Sequence, residues 1–289
     1  MLQPELRLLS SDDYQEVKRV FLNHIFPEYG KKSKRGREGA FDRMLFIRRV
    51  NFDYSAGAFI NGQLIGFALM GVGIFEEKKS VYASGTGILV PYRRQGFASR
   101  LVEFLVNQLP KKSVEQALVT TQPLNNKGSA SQVYRNAGFK YQRLLYSYKM
   151  SSKNINLGLE ASSDVNTKIV ASPSWKLYSN WHKNTPSWER VVTVIEMNAP
   201  YEVFLEAYQE DQCVGFLIRY GKISQIGSCT SNLEEAILIK LIQHFYDLSQ
   251  TKRLKMLSID EQELTLVKVF KKLGFLQINK LEELKLTFS

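Results

Sequence analysis

Two short sequence patterns each occur twice, in the same order, in this 289-residue chain. Gln63–Phe67 (QLIGF) is echoed by Gln212–Phe216 (QCVGF), and Tyr134–Phe139 (YRNAGF) is echoed by Phe270–Phe275 (FKKLGF). Each copy of the first pattern lies on the second arm of a predicted hairpin, and each copy of the second ends a predicted helix. The repetition predicts two related domains of roughly 150 residues each, a usual domain size.

The predicted domain limits follow from this repeat. We expect a first domain over residues 1–150, a Ser- and Asn-rich linker over 151–167, and a second domain over 168–289. The first domain alternates strand and helix signals. Its predicted strands are Leu6–Leu9, Tyr54–Ile60, Gln63–Gly71, Val81–Val90, Gln116–Thr121 and Tyr141–Tyr148. Its predicted helices run from Ser10 or Ser11 to just before Pro27, over Phe97–Leu109 and over Ser129–Asn136.

The excess positive charge is confined to the first half. Up to Met150 the chain holds 23 basic and 12 acidic side chains, and from Ser151 onwards it holds 16 of each, so the whole +11 lies before Ser151. Residues 31–49 alone carry eight basic and two acidic side chains. This segment is typical of a solvated loop or a nucleic-acid-binding arm. Phe41 and Phe46 are its only aromatic residues, and half of the chain is neutral, which argues against nucleic acid.

Composition also indicates the compartment. The N-terminal segment carries Glu5, Asp12 and Asp13 and has no apolar core of signal-peptide length. The longest uncharged apolar run, Leu64–Phe75, is too short to span a bilayer. The only two cysteines, Cys213 and Cys229, are predicted to be free thiols, and the three histidines are too far apart in sequence for a zinc site. We therefore expect a cytoplasmic protein with no metal and no membrane partner.

One segment, Gly87–Leu101 (GILVPYRRQGFASRL), carries a specific chemical signal. It predicts a buried strand, a sharp turn and a helix whose first turn contains Gly96 and the small Ala98. The N–H groups that begin such a helix, together with its dipole, bind anions, and Arg93 and Arg94 can add charge-assisted contacts to phosphate oxygens. An ordinary strand–helix turn with surface arginines is the alternative. The glycine spacing fits neither a dinucleotide-binding loop nor a Walker-type loop.

These residues resemble a known family. Arg93-x-x-Gly96-x-Ala98 is similar to the acetyl-CoA signature of the GNAT superfamily of N-acetyltransferases, and Asn126, Tyr134 and Gly138-Phe139 are similar to its second motif. The resemblance covers residues 1–150 in full element order. It implies an α/β (α+β) fold made of two tandem GNAT-like domains, each a mixed, mostly antiparallel sheet flanked by helices.

The resemblance also implies a reaction and a site. Acetyl-CoA would be the co-substrate, and its acetyl group would pass directly to a primary amine. Pantetheine would run between two splayed strands, and the pyrophosphate would lie on the amides of Arg94–Ser99. The implied cofactor-binding residues are Ile88, Leu89, Val90, Arg93, Arg94, Gln95, Gly96, Phe97, Ala98, Ser99 and Asn126. Tyr134 would be the catalytic acid that protonates the departing thiolate; a half-buried aromatic residue of the helix is the alternative.

Two features depart from the family pattern. Pro91 lies one residue closer to Gly96 than is usual, so we expect a tighter turn. The strand Val81–Val90 contains no Asp or Glu, so the sequence names no general base. Glu76 and Glu77 precede this strand, and they read as part of a solvated turn.

The second half is predicted to be a degenerate copy. The segment Gly227–Asn232 lacks the signature, and Phe270 occupies the position that corresponds to Tyr134. We expect this domain to complete the acceptor site or an interface. Its three tryptophans, Trp175, Trp181 and Trp188, either line a pocket or pack the helices.

The acceptor is predicted only as a class, a small-molecule or peptide amine. By resemblance, the basic segment Lys31–Arg49 borders the acceptor site, where it would favour an acidic acceptor or the phosphates of CoA. A CoA-binding or scaffold module without catalysis is the alternative function. The sequence predicts no oligomeric state.

Overall fold

The computed structural model describes residues 3–27, 36–124, 130–150, 164–182, 184–197, 202–219, 222–229, 231–249 and 253–288. The chain divides into two compact units. The first unit comprises Met1–Gln142 together with Glu282–Ser289, and the second comprises Arg143–Leu281. The last strand of the chain therefore ends in the first unit, whereas most of the sixth strand belongs to the second.

The first unit is a six-stranded sheet with helices on both faces. Its strands are β1 (Glu5–Leu8), β2 (Ala56–Ile60), β3 (Gln63–Phe75), β4 (Lys78–Ile88), β5 (Gln116–Thr121) and the end of β12 (Leu276–Thr287), in the spatial order β1-β2-β3-β4-β5-β12. Its helices are α1 (Tyr14–Val20), α2 (Gly36–Ile47), α3 (Phe97–Gln108) and α4 (Ala130–Asn136). All neighbours in this sheet pair antiparallel except β4 and β5, which are parallel.

Alternation along the strands builds two cores in the first unit. On β3, Phe67 and Leu69 pack with α1 and α2, whereas Ala68 and Met70 pack with α3 and α4. Successive strand residues point to opposite faces, so one strand supplies both layers. Helix α1 continues as a π turn over Phe21–Ile25 and ends before Pro27, as expected.

The hairpin predicted from the strands Tyr54–Ile60 and Gln63–Gly71 is confirmed, with Asn61-Gly62 as its turn. Asn61 has φ +50° and Gly62 has φ +75°, and the strands on either side pair from Ile60↔Gln63 onwards. Positive φ at both turn residues is the geometry that Asn-Gly favours, because its twist matches that of the strands. This turn sets the register of β2 and β3, and thus the faces that their side chains occupy.

The second unit repeats this plan. Its strands are β6 (Lys140–Met150), β7 (Val165–Val170), β8 (Val203–Gln209), β9 (Gln212–Arg219), β10 (Ile223–Ser228) and β11 (Leu254–Asp260), in the order β6-β11-β10-β9-β8-β7. Its helices are α5 (Trp175–Ser179), α6 (Val192–Glu196), α7 (Glu234–Leu248) and α8 (Leu264–Lys272). Helices α7 and α8 cover one core, and α5 and α6 contribute to a second core around Tyr178 and Phe216.

The two echoed patterns have matching backbone roles. Gly138 and Gly274 close α4 and α8 with φ +93° and φ +84°, a conformation that glycine adopts without a steric penalty. Phe139 N–H donates to the Tyr134 carbonyl oxygen at 3.1 Å, and Phe275 N–H donates to that of Phe270 at 2.8 Å. The predicted duplication therefore holds at the level of individual hydrogen bonds.

The domain limits predicted from the sequence differ from the units. Residues 282–289 belong to the first unit rather than the second, and β6 from Arg143 belongs to the second unit rather than the first. Hydrophobic patterning identifies a strand but not the sheet in which it pairs, which explains the difference. In the predicted linker, residues 151–163 lie outside the described part of the chain, while residues 165–167 lie in strand β7.

Candidate active site

The strands β4 and β5 pair over only part of their length and then separate. They pair in parallel only at Ser80↔Gln116, Val81↔Ala117 and Tyr82↔Leu118. Beyond these pairs β4 continues to Ile88 and β5 continues to Thr121. The register of β4 with β3 also shifts between Ala83 and Gly85, so Ser84 is the extra residue of a β-bulge. The structure therefore contains the splayed strand pair that the sequence resemblance implies.

A tight turn connects the end of β4 to α3. Val90–Tyr92 forms a single 3₁₀ turn containing Pro91. Arg94 and Gly96 then have positive φ angles of +63° and +78°. A β-carbon placed on Gly96 would find no atom within 4 Å, so the space before the helix is open.

The first turn of α3 presents its backbone N–H groups to this open space. The first intrahelical bond runs from Arg100 N–H to the Gly96 carbonyl oxygen at 3.1 Å. The N–H groups of Phe97, Ala98 and Ser99 precede that bond, and such groups have no intrahelical acceptor. No acidic side chain lies in the first turn of α3, so the partial positive charge at the helix start is not neutralised locally.

The two arginines of the turn have different roles. Arg93 Nε donates to the carbonyl oxygen of Ile88 at 2.8 Å, which ties the turn to the end of β4. Arg94 is exposed and extends the positive charge into solvent. The amide side chain of Gln95 donates to the Pro91 carbonyl oxygen at 3.1 Å. Arg93 and Gln95 thus stabilise the turn, while Arg94 is available to an anion.

The other residues predicted to hold pantetheine lie at the end of β4. Leu89 N–H donates to the Ile65 carbonyl oxygen at 2.8 Å, Ile88 is buried, and the Val90 side chain is exposed. Asn126 lies outside the described residues. The structure therefore brings Ile88 to Ser99 together at the mouth of the splay, and Asn126 stays a prediction.

Tyr134 lies inside the first unit with its hydroxyl group at β4. The side chain is only 2% exposed, and its hydroxyl oxygen lies 2.8 Å from Thr86 Oγ1. Thr86 belongs to the part of β4 that has separated from β5. Burial raises the pKa of Tyr134 to about 12, so the hydroxyl keeps its proton at neutral pH. The aromatic ring also packs against Phe139, so the residue contributes to the core as well as to the candidate site.

Two buried carboxylates reach the first unit from the far end of the sequence. Glu282 and Glu283 on β12 pair with Thr121 and Thr120 on β5, and their exposed fractions are 4% and 3%. Glu282 accepts a hydrogen bond from Arg135 Nη2 at 2.7 Å and another from the hydroxyl of Ser131. No sequence signal identifies these residues, because the 160 or so intervening residues give no indication that β12 pairs with β5.

Glu283 lies on the opposite face of the sheet from Tyr134. Leu284, its neighbour, packs in the same core as Tyr134. Because alternate strand residues share a face, Glu282 points toward α4, as its bond to Arg135 shows, and Glu283 points to the other side. Of the described residues of the first unit, these two are the buried carboxylates.

The described part of the basic segment packs onto this unit. Helix α2 carries it from Gly36 onwards, and Arg48 Nη1 donates to the carbonyl oxygen of the bulge residue Ser84. The guanidinium of Arg49 lies against Gly73, and burial lowers its pKa. Lys31, Lys32, Lys34 and Arg35 lie outside the described residues. At its C-terminal end the segment is therefore part of the fold beside β4 rather than a loop.

Glu76 and Glu77 form the turn between β3 and β4, and both have positive φ angles. Both are exposed, and Glu76 forms an ion pair with Lys285. Within the described ranges, no group of three or more His, Cys, Asp and Glu side chains is placed to hold a metal ion. Nor does any helix there have the length and apolar character needed to cross a membrane.

The second unit has a related splay without the anion-binding turn. β10 and β11 pair in parallel at Ile223↔Met256. The helix that follows β10, α7, begins with Glu234 and Glu235 in its first turn. Carboxylates at a helix N-terminus interact favourably with its dipole and so compete with a phosphate for this position, and Glu235 is itself paired with Lys268 and Lys272. The degenerate character expected from the sequence thus has a physical basis at this position.

Comparison with known proteins agrees with this geometry. Residues 19–139 match the model of the acetyltransferase (GNAT) family. No curated protein sequence matches the chain. The matched range contains β4, the Arg93–Ser99 turn, β5 and Tyr134.

Solved structures resemble the chain over nearly its full length at low sequence identity. A protein from Pyrococcus horikoshii has 16% identity and a TM-score of 0.64, with 100% of this chain and 91% of that chain covered. A tandem GNAT protein from the clavulanic acid biosynthesis pathway has 9% identity and a TM-score of 0.64, with 99% and 98% covered. A GCN5-related N-acetyltransferase from Sphaerobacter thermophilus has 11% identity and a TM-score of 0.63, with 98% and 95% covered.

The fold and the matched residues define the class as a tandem GNAT-fold protein. Residues 19–139, which lie in the first unit, match the GNAT family model, and the whole chain has the tandem GNAT fold, with a second unit that lacks the anion-binding turn. The family and fold support acyl transfer in general.

Proposed function

We propose that the first unit transfers an acetyl group from acetyl-CoA directly to a primary amine. The observation that carries the proposal is the splay between β4 and β5, which ends at the Arg93–Ser99 turn and contains the Tyr134–Thr86 hydrogen bond. An anion-binding helix start lies at the mouth of this splay, and a proton donor lies within it. Acetyl-CoA carries its pyrophosphate at one end of the pantetheine arm and its thioester at the other. It would therefore need an anion site at the opening of the splay and a proton donor inside it.

The cofactor side of the site fits the proposal. The N–H groups of Phe97, Ala98 and Ser99 would bind the pyrophosphate, with Arg94 supplying charge and Gly96 permitting a close approach. Arg93 and Gln95 would hold the turn in shape through their bonds to main-chain oxygens. Ile88, Leu89 and Val90 would border the pantetheine arm.

An acceptor that arrives as an ammonium ion loses two protons, one to a base before the attack and one as the amide forms. The C–N bond forms as the thioester C–S bond breaks; the departing sulfur gains one proton, and the other is released to solvent. At pH 7 only roughly one lysine-like amine in a few thousand is unprotonated, so a base assists the attack. Tyr134, which keeps its proton up to about pH 12, would protonate the sulfur.

We propose Glu283 as the base, acting directly or through a water molecule. It is buried, it lies on the strand next to β5, and it faces the side of the sheet away from Tyr134. The acid and the base would thus act from opposite faces of the splay, which keeps the two proton transfers apart. This assignment supplies the carboxylate that β4 lacks.

The acceptor is proposed to be a small-molecule or peptide amine that carries an acidic group. The support is the excess of positive charge in the first half and the position of Arg48 at the bulge of β4. With acetyl-CoA as donor and two free cysteines, we place the reaction in the cytoplasm.

The test is a thiol-release assay on the full chain with acetyl-CoA and a panel of amines, some with and some without a carboxylate or phosphate group. We expect thiol release with at least one amine and a higher melting temperature with acetyl-CoA. No stabilisation by acetyl-CoA or CoA would refute the proposal.

A CoA-binding module without catalysis is the second candidate, favoured by the missing carboxylate on β4. That reading predicts stabilisation by CoA, no thiol release above the rate in buffer with any amine, and no change for Tyr134→Phe.

A further inference from the structure

The second unit contains a cavity of its own. Strands β10 and β11 pair at Ile223↔Met256. A recess of about 40 Å³ is lined by residues of both strands. A larger cavity of about 430 Å³ adjoins this recess. Both are lined by His182, Asn184, Thr185, Pro186 and Gln225. All residues that line them belong to the second unit.

Most polar groups in the recess satisfy one another. Arg143 Nη1 donates to Asp260 Oδ2 at 2.8 Å and to the Thr185 carbonyl oxygen at 2.8 Å. Asn184 donates to the same carboxylate oxygen at 3.0 Å. His182 shares a hydrogen bond with Gln225 at 3.2 Å, and burial lowers its pKa, so the ring is neutral at pH 7. The charges of Arg143 and Asp260 therefore neutralise each other on this side of the recess.

Arg190 has no such carboxylate partner for its positive charge among the described residues. Its exposed fraction is 6%, and its Nη1 atom donates to the carbonyl oxygens of Ser224 and Ile223 at 2.6 and 3.2 Å. Its Nη2 atom is buried and has no hydrogen-bond partner among the described residues. No carboxylate of the described chain forms an ion pair with it; Glu189 and Glu202 attract it only at longer range. A buried guanidinium with unused donors is a costly arrangement in an isolated fold.

A second unused donor lies in the same recess. The hydroxyl of Ser187 is buried and has no partner among the described residues, and Ser187 lines the recess with Arg190. The two residues are held together by the bond from Arg190 N–H to the Ser187 carbonyl oxygen at 2.7 Å. One positive charge and two kinds of donor in a small recess are complementary to an oxyanion. Its volume exceeds the roughly 10–15 Å³ that one water needs, so a carboxylate group fits.

The adjoining cavity determines what the carboxylate is attached to. Its walls include the half-buried side chains of Trp175, Pro186, Val191 and Val192, whereas Tyr178 behind them is 1% exposed and stacks on Phe216. Trp175 therefore takes the pocket-lining role that the sequence left open, while Trp188 is fully buried. Flat aromatic walls favour a ring or an apolar body.

We propose that the second unit binds a small carboxylate with an aromatic or other apolar body. Its carboxylate pairs with Arg190 and Ser187 in the recess, and its body lies against Trp175 and Val192. The site is separate from the acetyl-CoA site and does not depend on the function proposed for the first unit. The separated strands β10 and β11 of the second unit, which has no anion-binding turn, would thus border the site of a different ligand.

The test is calorimetric titration of the full chain with benzoate, its neutral counterpart benzamide, and inorganic phosphate. We expect benzoate to bind and benzamide to bind at least about tenfold more weakly, because the charge-assisted bonds are lost. Arg190→Gln should weaken benzoate binding at least about tenfold, and Arg190→Lys should restore part of it. Val192→Trp should block binding by filling the cavity while leaving Arg190 in place.

Several results would overturn the proposal. The first is no detectable heat with benzoate at about 10 mM, where even millimolar affinity gives a signal. The second is benzoate binding by Val192→Trp that equals that of the wild type. The third is tighter binding of phosphate than of benzoate. The Val192→Trp arm decides the matter if Arg190→Gln does not fold. Acetyl-CoA stabilisation of the same protein should be unaffected by benzoate, which distinguishes this site from the one in the first unit.

Discussion

The two units begin from the same arrangement and differ at one turn. In each, a parallel pair of strands separates and a helix follows the first of them. In the first unit the helix is preceded by Arg94 and Gly96 with positive φ and has no acidic residue in its first turn. In the second unit the first turn contains Glu234 and Glu235. The backbone therefore provides a cleft in both units, while a few residues at the helix start decide whether that cleft accepts a phosphate.

The proton donor differs as well. Tyr134 in the first unit corresponds to Phe270 in the second, and both rings pack against the phenylalanine five residues later. The packing role is therefore common to both units, whereas only the first unit has a tyrosine hydroxyl at this position, hydrogen-bonded to Thr86. The charge excess follows the same division, because all of it lies in the half that keeps the turn.

We expect Tyr134→Phe to have a stronger effect than any other substitution proposed for the two units. Removing the hydroxyl leaves the aromatic packing intact and should lower kcat about 10³-fold, within the range for loss of a general acid. Because burial raises the pKa of Tyr134 to about 12, the acid stays protonated across the assay range, and kcat of the wild type should not fall between pH 7 and 10. Thiol-release kinetics measure both.

The matched control is Tyr148→Phe, a buried tyrosine of the second unit. It should leave kcat unchanged. Equal loss of kcat in the two variants would contradict a chemical role for Tyr134 and indicate a general effect of removing a buried hydroxyl.

The next effect is on stability. The buried pair Arg143–Asp260, 2.8 Å apart, lies in the second unit, and Asp260→Asn should lower the free energy of unfolding by about 3 kcal/mol, because a buried guanidinium loses its counter-charge. Denaturant unfolding measures this change. The more exposed pair Lys285–Glu76 in the first unit is the control, and Glu76→Gln should cost at most about 0.5 kcal/mol. Similar losses for the two variants would remove the distinction.

Glu283→Gln should lower kcat about 10²-fold and abolish the acidic limb of the pH profile of kcat/KM, since a base acts only when deprotonated. Its neighbour Glu282 supplies the control. Glu282→Gln weakens the bonds to Arg135 and Ser131, so it should lower the melting temperature but retain the acidic limb. A retained limb in Glu283→Gln would reassign the base.

The smallest expected effect is that of Gly96→Ala. A β-carbon at φ +78° costs about 1–2 kcal/mol and projects into the open space before α3, so the Kd for acetyl-CoA should rise about tenfold. Gly62→Ala introduces the same strain at φ +75° in the hairpin turn, far along the sequence from the cofactor motif. It should lower stability similarly without changing the Kd; calorimetry and thermal unfolding measure both quantities.

Local signals in the sequence predicted much of this fold. Asn61-Gly62 set a hairpin, Gly138 and Gly274 ended helices, and the segment after β4 indicated the anion-binding turn, because each depends on residues close together in the chain. Helix α2 was not predicted, since its basic composition resembles that of a loop. The role of β12 was also missed, because strand pairing between residues 116–121 and 282–287 leaves no local trace. The proposed base, Glu283, is placed beside β5 by that pairing.

The stoichiometry of acetyl-CoA binding to the full chain, measured by isothermal titration calorimetry, distinguishes the two helix starts. One helix start is open to phosphate and one is blocked by carboxylates, so we expect one acetyl-CoA per chain, with the affinity weakened in Gly96→Ala. Two equivalents per chain would contradict the contrast between the units. No binding would contradict the assignment of the first unit itself.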